Sequence, residues 1–466
     1  MSAKYLWVAL FIVFGCLSSL RAQPSDNFYV DPAAPSGGDG SSWATAFQTI
    51  SEAVTEANAT FVDDRIWLAP GIHQPTGPMS VIHPCTVGAP LGTATIDYSG
   101  FFASFRVLDT DIHFTGINFS GAGRKVAGIG RHSGIRFTRC KFLGSTSVAV
   151  RGDRCYVMWF DKCEFSGNSN WNNGGALQGV DCVHVDIAES KFDGNTSYRN
   201  GGAVFLQNCD IVNVHESVFK GNVAHGSGGG LHVEAVNITP PIYYIPKFTE
   251  VDILNTEFVE NEAWQDGGGI RARAIARFEI TNGVLLRNTS CGSGGGMKAS
   301  QYPVGGMNRM VLLNCTVTKN MAVLGGGISL PTPFTLPNTE LLNSILWDNR
   351  ALSAGTILEA QCDLEPSNVD HCCIQDWGAL SWSGHAINSD PRLRSNGKIG
   401  WLSPCIDAGD VSLYPGMNSD PYNRRNYDIE GRDRVRGIDI DMGAFEVEPL
   451  RVFEGPFVHL DVDIRP

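Results

Sequence analysis

The chain has 466 residues, 43% of them apolar, 18% charged and 53 of them glycine, with a formal net charge of −13 at pH 7. So little charge excludes a disordered polyelectrolyte, so much glycine excludes a long helical architecture, and the acidic balance excludes bulk nucleic-acid binding. Turn-rich, periodic β structure is what remains.

Residues 1–22 read as a secretory signal peptide. Lys4 supplies the positive start, residues 6–17 (LWVALFIVFGCL) the apolar run, and Leu20-Arg21-Ala22 a cleavage site before Gln23. The run is short for a bilayer, and no later stretch reaches the roughly 18 consecutive apolar residues of a span, so no transmembrane segment is expected in the mature chain. Removing Lys4 and Arg21 leaves 33 basic against 48 acidic side chains, a charge of −15. Lipidation of Cys16, after Val13-Phe14-Gly15, is an alternative that bulky Phe14 fits poorly. The expected location is secreted or at the cell surface.

Residues 23–64 form an expected N-terminal cap. Within them Trp43, Phe47, Ile50, Ala53, Val54 and Ala57 recur at helical spacing, which predicts a short amphipathic helix covering the front of the repetitive region. That region runs from 65 to 400. Phe165-Ser-Gly-Asn168, Phe192-Asp-Gly-Asn195, Phe219-Lys-Gly-Asn222 and Phe258-Val-Glu-Asn261 each lead, six residues after the Asn, to a glycine pair opening at Gly174, Gly201, Gly228 and Gly267. Asn288 with Gly294 keeps that offset, Asn320 with Gly325 shortens it to five, and Asn349 with Gly355 is a worn copy. The glycine-to-glycine steps are 27, 27, 39, 27 and 31 residues.

Before each Phe lie alternating apolar stretches such as Val183-His-Val185-Asp-Ile187 and Ile211-Val-Asn-Val214. Period-two alternation means half-buried strands, and the lack of helical stretches between them excludes βαβ units and leucine-rich repeats. The predicted fold class is all-β: a parallel β-helix solenoid of ten or eleven coils. Like residues then lie about 4.8 Å apart on neighbouring coils and form ladders. The Phe ladder fills the core, the Asn ladder exchanges amide hydrogen bonds at a turn where Asn tolerates a left-handed backbone, and the Gly pairs make a second tight turn. Residues 401–448, with Ser403–Gly409 and Asp439–Glu446, read as a non-repetitive closing segment for the back end, and 449–466 as a tail.

The Phe-x-x-Asn and Gly-Gly-Ala pairs resemble the repeats of polymorphic outer-membrane proteins. The two ends resemble secreted bacterial right-handed β-helix proteins of the choice-of-anchor Q class. That second resemblance rests on Tyr29-Val30-Asp31 through Asp39-Gly40-Ser-Ser-Trp43, on Ile66-Trp-Leu-Ala-Pro-Gly71, and on the phrases Pro404-Cys-Ile-Asp-Ala-Gly409 and Ile440-Asp-Met-Gly-Ala-Phe-Glu446. It spans residues 28–446 and implies a right-handed, pectin lyase-like coil in a secreted or surface protein, without implying an activity. No autotransporter barrel is expected from the residues after 446, a departure from the outer-membrane pattern.

Apart from Cys16, twelve cysteines remain. Cys140, Cys163 and Cys315 share a ladder position with Ser190, Ser217, Thr256 and Ser344, which asks for a small buried side chain. Cys155, Cys182 and Cys209 form a second ladder, and buried free thiols are expected in both. Cys362, Cys372, Cys373 and Cys405 stand outside the ladders as bridge candidates. No Cys-x-x-Cys pair exists, so no zinc motif, metal or other cofactor is expected.

Catalytic signatures are sparse. Asp63-Asp64 precedes the coil, His225 sits in Ala-His-Gly-Ser, and neither the Arg-Ile-Lys of polygalacturonase-like enzymes nor the Trp-Ile-Asp-His of pectate-lyase-like enzymes occurs. No nucleophile elbow or His-Glu-x-x-His helix is present. The functional expectation is therefore binding or structure at the cell surface, without catalysis. The alternative is a divergent polysaccharide lyase or glycoside hydrolase acting on uronic-acid polysaccharides.

The repeat also sets which residues face outward. Gln178, Phe205, His232, Arg271, Lys298 and Ser329 alternate with inward apolar neighbours and form one stripe, extended by Gln207, Glu234, Arg273 and Ser300. Its cations, with Tyr243 and Tyr244 in the long insertion beside it, make His232, Glu234, Arg271, Arg273, Lys298, Tyr243 and Tyr244 the candidate site for an acidic polysaccharide or cell-surface glycan. No other class of partner is indicated.

Overall fold

Residues at like positions of the repeat pair with one another across neighbouring strands. Phe142, Phe165, Phe192, Phe219, Phe258 and Leu285 are successive register partners, and every ladder in the coil is parallel. The computed structural model describes residues 26–99, 105–235, 249–300, 309–330, 339–353, 355–363, 368–377, 385–414 and 424–447. The expected signal peptide, Tyr243, Tyr244 and the tail lie outside them.

Three long sheets of 13, 12 and 10 strands run side by side, with a fourth of seven two-residue strands at one corner. Ten coils therefore carry a strand in all three long sheets, and the chain is an all-β parallel β-helix. Crossover connections between parallel strands make such a coil right-handed. Among the described residues no helix is long and apolar enough to cross a membrane.

The corners explain the repeat. At the first, the residue before each Asn takes the left-handed conformation: Gly167, Gly194 and Gly221 at φ 61–62°, then Glu260, Arg287, Lys319 and Asp348 at φ 53–57°. The ladder Asn does not, contrary to the expectation. Its work is done by the amide. Asn195 Nδ2 donates to Asn222 Oδ1 at 3.0 Å and to Phe165 O at 3.0 Å, while its Oδ1 accepts from Asn168 N and Nδ2 at 3.0 and 2.9 Å. All four hydrogen-bonding sites of the buried amide are thereby satisfied. The same chain continues to Asn349, whose Nδ2 donates to Gln361 Oε1 at 2.8 Å. Gln361 ends the short helix Ile357–Gln361 and takes the place of the next Asn.

At the second corner the two glycines have different reasons. Gly174 sits at φ 72°, whereas a Cβ on Gly175 would lie 2.1 Å from Gly202 O on the next coil. Inside, Phe165, Phe192, Phe219 and Phe258 are fully buried and stack face to face at 4.7 Å.

The cap helix is shorter than its periodicity suggests. It covers Ile50–Ala57 and buries Ile50, Ala53, Val54 and Ala57. Trp43 lies in a separate 3-10 turn, edge-on to Tyr29 at 4.8 Å, and Phe47 lies on an extended stretch bridged to Val30. The helix starts late because Thr49 caps it: Thr49 Oγ1 accepts from Glu52 N at 3.3 Å, and Glu52 Oε2 accepts from Thr49 N at 2.8 Å. Thr49→Ala should lower stability by about 1 kcal/mol, read by urea denaturation. An unchanged midpoint would mean that packing alone holds the helix.

The closing segment does not simply cover the back end. It runs along the flank of the last coils, where a second asparagine column pins its carbonyls. Asn282 donates to Tyr427 O at 3.0 Å, Asn314 to Asp441 O at 3.0 Å and Asn343 to Asp410 O at 2.9 Å. Arg425 joins it to Asp252 and Glu279 at 3.2 and 3.0 Å. Ala444 and Phe445 bury against Val259, Val284 and Leu286.

None of the twelve described cysteines is in a disulfide, and Cys291 alone among them is exposed. Cys372, which the spacing puts outside the ladders, in fact continues the Cys/Ser column. Its Sγ donates to Leu341 O at 3.2 Å and accepts from Ser344 N at 3.4 Å, as the Ser344 hydroxyl does one coil earlier with Leu312 O and Cys315 N. Burial pushes the thiols of Cys140, Cys315 and Cys372 up to about 12, so they stay protonated and unreactive. Of the other three bridge candidates, Cys373 and Cys405 share one buried cluster as free thiols, and Cys362 joins the main core.

Candidate functional site

Strand register aligns the stripe. Gln178, Phe205, His232, Arg271, Lys298 and Ser329 are successive partners, with Gln207, Glu234, Arg273 and Ser300 two residues along. Their accessibility differs from the expectation. His232, Glu234 and Arg271 are buried, at 3%, 7% and 8% exposure.

Their charges are also spent on one another. Glu234 lies 3.3 Å from His232 Nε2 and 3.6 Å from Arg273 Nη1. Burial raises its carboxyl, but the His232 hydrogen bond and the Arg273 and Arg271 charges outweigh that and leave it lowered. Arg271 donates to Ala272 O at 2.9 Å and Ser300 Oγ at 2.7 Å, with Asp266 at 3.9 Å. Lys298 Nζ donates to Ser329 Oγ at 2.6 Å, and that hydroxyl donates in turn to Asp363. The expected free cationic stripe is thus a largely self-neutralised network, in which Arg273 and Lys298 stay half-exposed.

The same row continues toward the N-terminus as Arg106, Ala127 and Arg151. Arg124 precedes Ala127 by three residues, and its Nε is buried without a hydrogen-bond partner. Burial and the like charges of Arg151 and Arg106 lower the Arg124 guanidinium. The one carboxylate paired with Arg151 among the described residues is Asp153, at 3.3 Å. Sequence periodicity does not reveal this cluster, because the early coils carry only weak copies of the repeat.

A column of aromatic rings stands on the surface three residues after the ladder asparagines. Trp171 and Tyr198 stack at 4.0 Å, and His225 and Trp264 at 3.8 Å. Sugars stack on ring faces, and here the faces are largely taken by neighbouring rings. The column stabilises its corner and offers an incoming sugar mainly edges.

The concave cationic surface lies where the chain just before the closing segment meets the segment itself. A cleft of about 190 Å³ is lined by Arg394, Lys398, Trp401, Arg432, Arg436, Glu446 and Val447. A tight turn, with Arg394 N bonded to Lys398 O at 2.8 Å, carries the first two cations, and a second turn closed by Asp428 N and Arg432 O at 2.7 Å carries Arg432. Lys398 pairs with Glu430 at 2.7 Å, and Arg432 shares that carboxylate. Arg432 also lies 3.7 Å from Asp428, so the four cations face three carboxyl groups, Glu430, Glu446 and Asp428. Trp401 stands beside them with 62% of its surface exposed. A second cleft, of about 230 Å³, holds Glu216, Glu257 and Asp428 around Tyr427 and would repel an acidic ligand. Nothing in the sequence pattern relates Arg394 to Arg432 or Arg436, so this site is absent from the expected residues.

No protein-family model matches the chain, and no curated protein matches it. Among solved structures, a rhamnogalacturonan lyase is similar over 81% of this chain and 95% of its own, at 12% identity and a TM-score of 0.39. The crystal structure of pectate lyase Pel9A is similar over 91% and 97%, at 14% identity and a TM-score of 0.35. Likeness this remote carries no argument about this chain. Its fold rests on its own strand register, which is that of an all-β parallel β-helix.

Proposed function

We propose that this protein is an exported β-helix, secreted or held at the cell surface, that binds an acidic glycan rather than cleaving it. The observation that carries the reading is the cationic cleft, where Arg394, Lys398, Arg432 and Arg436 surround an exposed indole on a chain of net charge −13. Guanidinium forks suit carboxylate and sulfate oxygens, and a free indole face suits the C–H face of a pyranose. Half-exposed Arg273 and Lys298 on the coil supply further contacts for a long chain. The signal-like residues 1–22 support export.

Electrophoresis through gels containing polygalacturonate or heparin tests the site. Arg394→Ala and Trp401→Ala should each weaken retardation at least about tenfold in affinity, the loss expected of interface anchors. Arg271→Ala should instead lower stability, because its guanidinium is buried and bonded within the coil. Equal retardation of the parent protein and both cleft variants would overturn the assignment. Following absorbance of unsaturated products in the same mixtures separates binding from lyase action.

A further inference from the structure

We propose that Asp370, His371 and His385 form a site for a divalent metal ion of the zinc class, clasping the chain that leads into the closing segment to the last coil. Asp370 ends the strand Asn368–Asp370, the outermost of the 13-stranded sheet, and pairs in register with Leu342. The next residue, His371, occupies the position that Asn343 holds one coil earlier, again in the left-handed conformation with φ 47°. On the earlier coils the amide at this position pins a carbonyl of the closing segment. An imidazole replaces it on the last coil, and its Nδ1 is buried with no hydrogen-bond partner.

That unpartnered nitrogen lies 3.0 Å from Asp370 Oδ1. From the chain between the last strand and the closing segment, His385 brings its Nδ1 to 3.3 Å from the same oxygen. One donor atom from each residue falls within 4.8 Å of the other two. A tetrahedral zinc ion with bonds of about 2.0–2.1 Å needs donors roughly 3.3 Å apart, so small ring rotations suffice. His385 touches the His371 ring at 4.5 Å, and 79% of its side chain is exposed, which leaves it room to turn.

The carboxylate is already aimed. Asp370 Oδ1 accepts from His371 N at 3.0 Å and His385 N at 3.2 Å, which holds it between the two rings. Two imidazole nitrogens and one carboxylate oxygen suit zinc, nickel or copper, whereas calcium and magnesium need six or more oxygens or a shell of water. Water would complete four-coordination.

The full-length protein is stripped with EDTA and carries Cys291→Ser, which removes the exposed thiol as a competing ligand. Titration calorimetry with zinc chloride should show one strong equivalent and a raised melting temperature, with no such rise for calcium. His385→Ala and Asp370→Asn should each weaken zinc binding more than about tenfold and abolish the thermal shift. His385→Ala alters an exposed side chain, so it keeps the test independent of folding. Zinc uptake by both variants as tight as by their parent, or none by the parent, would overturn the site. No glycan enters the experiment, so its outcome is independent of the binding proposal.

Discussion

Asn222→Leu should be the most damaging single substitution in the repeat, although it adds apolar volume to a buried position. Asn222 Nδ2 donates to Phe192 O and Asn261 Oδ1 at 3.0 and 2.9 Å, and its Oδ1 accepts from Asn195 N and Nδ2 at 2.9 and 3.0 Å. Leucine fills the space and satisfies none of these groups. Each buried donor or acceptor left without a partner costs about 1–3 kcal/mol, so losing several predicts roughly 3–6 kcal/mol. Chains of amides polarise one another, which places the estimate toward the upper end. Urea denaturation followed by circular dichroism should show this as a large fall in the midpoint. A loss below about 1 kcal/mol would mean that the amide chain does not hold the corner.

Phe192→Ala should cost about 3–5 kcal/mol, the usual range for emptying a buried aromatic site. The ring is fully buried between Phe165 and Phe219, each at 4.7 Å and within 6° of parallel. Both neighbours are fixed by their own strands and cannot collapse into the gap. Phe192→Leu should lose clearly less, because most of the volume remains. Equal losses for the two variants would show that stacking geometry, rather than filled volume, is what the column supplies.

The coil itself is legible because a solenoid writes each contact as a sequence period. Phe192 and Phe219 are 27 residues apart and touch, so identity at that spacing reveals both the fold and the facing of each strand. Errors arise where a ladder changes residue type. The left-handed position before the Asn is Gly on three coils and Glu, Arg, Lys or Asp on four, so composition hides it and points to the Asn instead. Cys372 escapes the pattern for the same reason, since Ile374 and Trp377 stand after it where other coils have Phe and Asn.

Periodicity also overreaches at the N-terminus. Trp43 and Phe47 fit a helical wheel, but Thr49 caps the helix after them, and a local hydrogen bond outranks the pattern. On the stripe, alternation gives the facing and cannot reveal neutralisation. Glu234 comes from the same strand as His232, Asp266 from a turn and Asp363 from the residues after a short helix. The cationic cleft and the Asp370–His371–His385 cluster lie beyond any period, because the closing segment does not repeat. The contacts from His385, just before that segment, to Asp370 and from Arg425 to Glu279 span 15 and 146 residues, and neither interval recurs.

The most direct measurement is titration calorimetry of the intact protein with oligogalacturonates and with sulfated oligosaccharides of matched length, at low and at physiological ionic strength. Binding through Arg394, Lys398, Arg432 and Arg436 predicts saturable uptake of the acidic oligosaccharides that weakens as salt rises, and none of neutral oligosaccharides of the same size. No heat of binding with any acidic oligosaccharide at low ionic strength, or equal binding of neutral ones, would contradict the account.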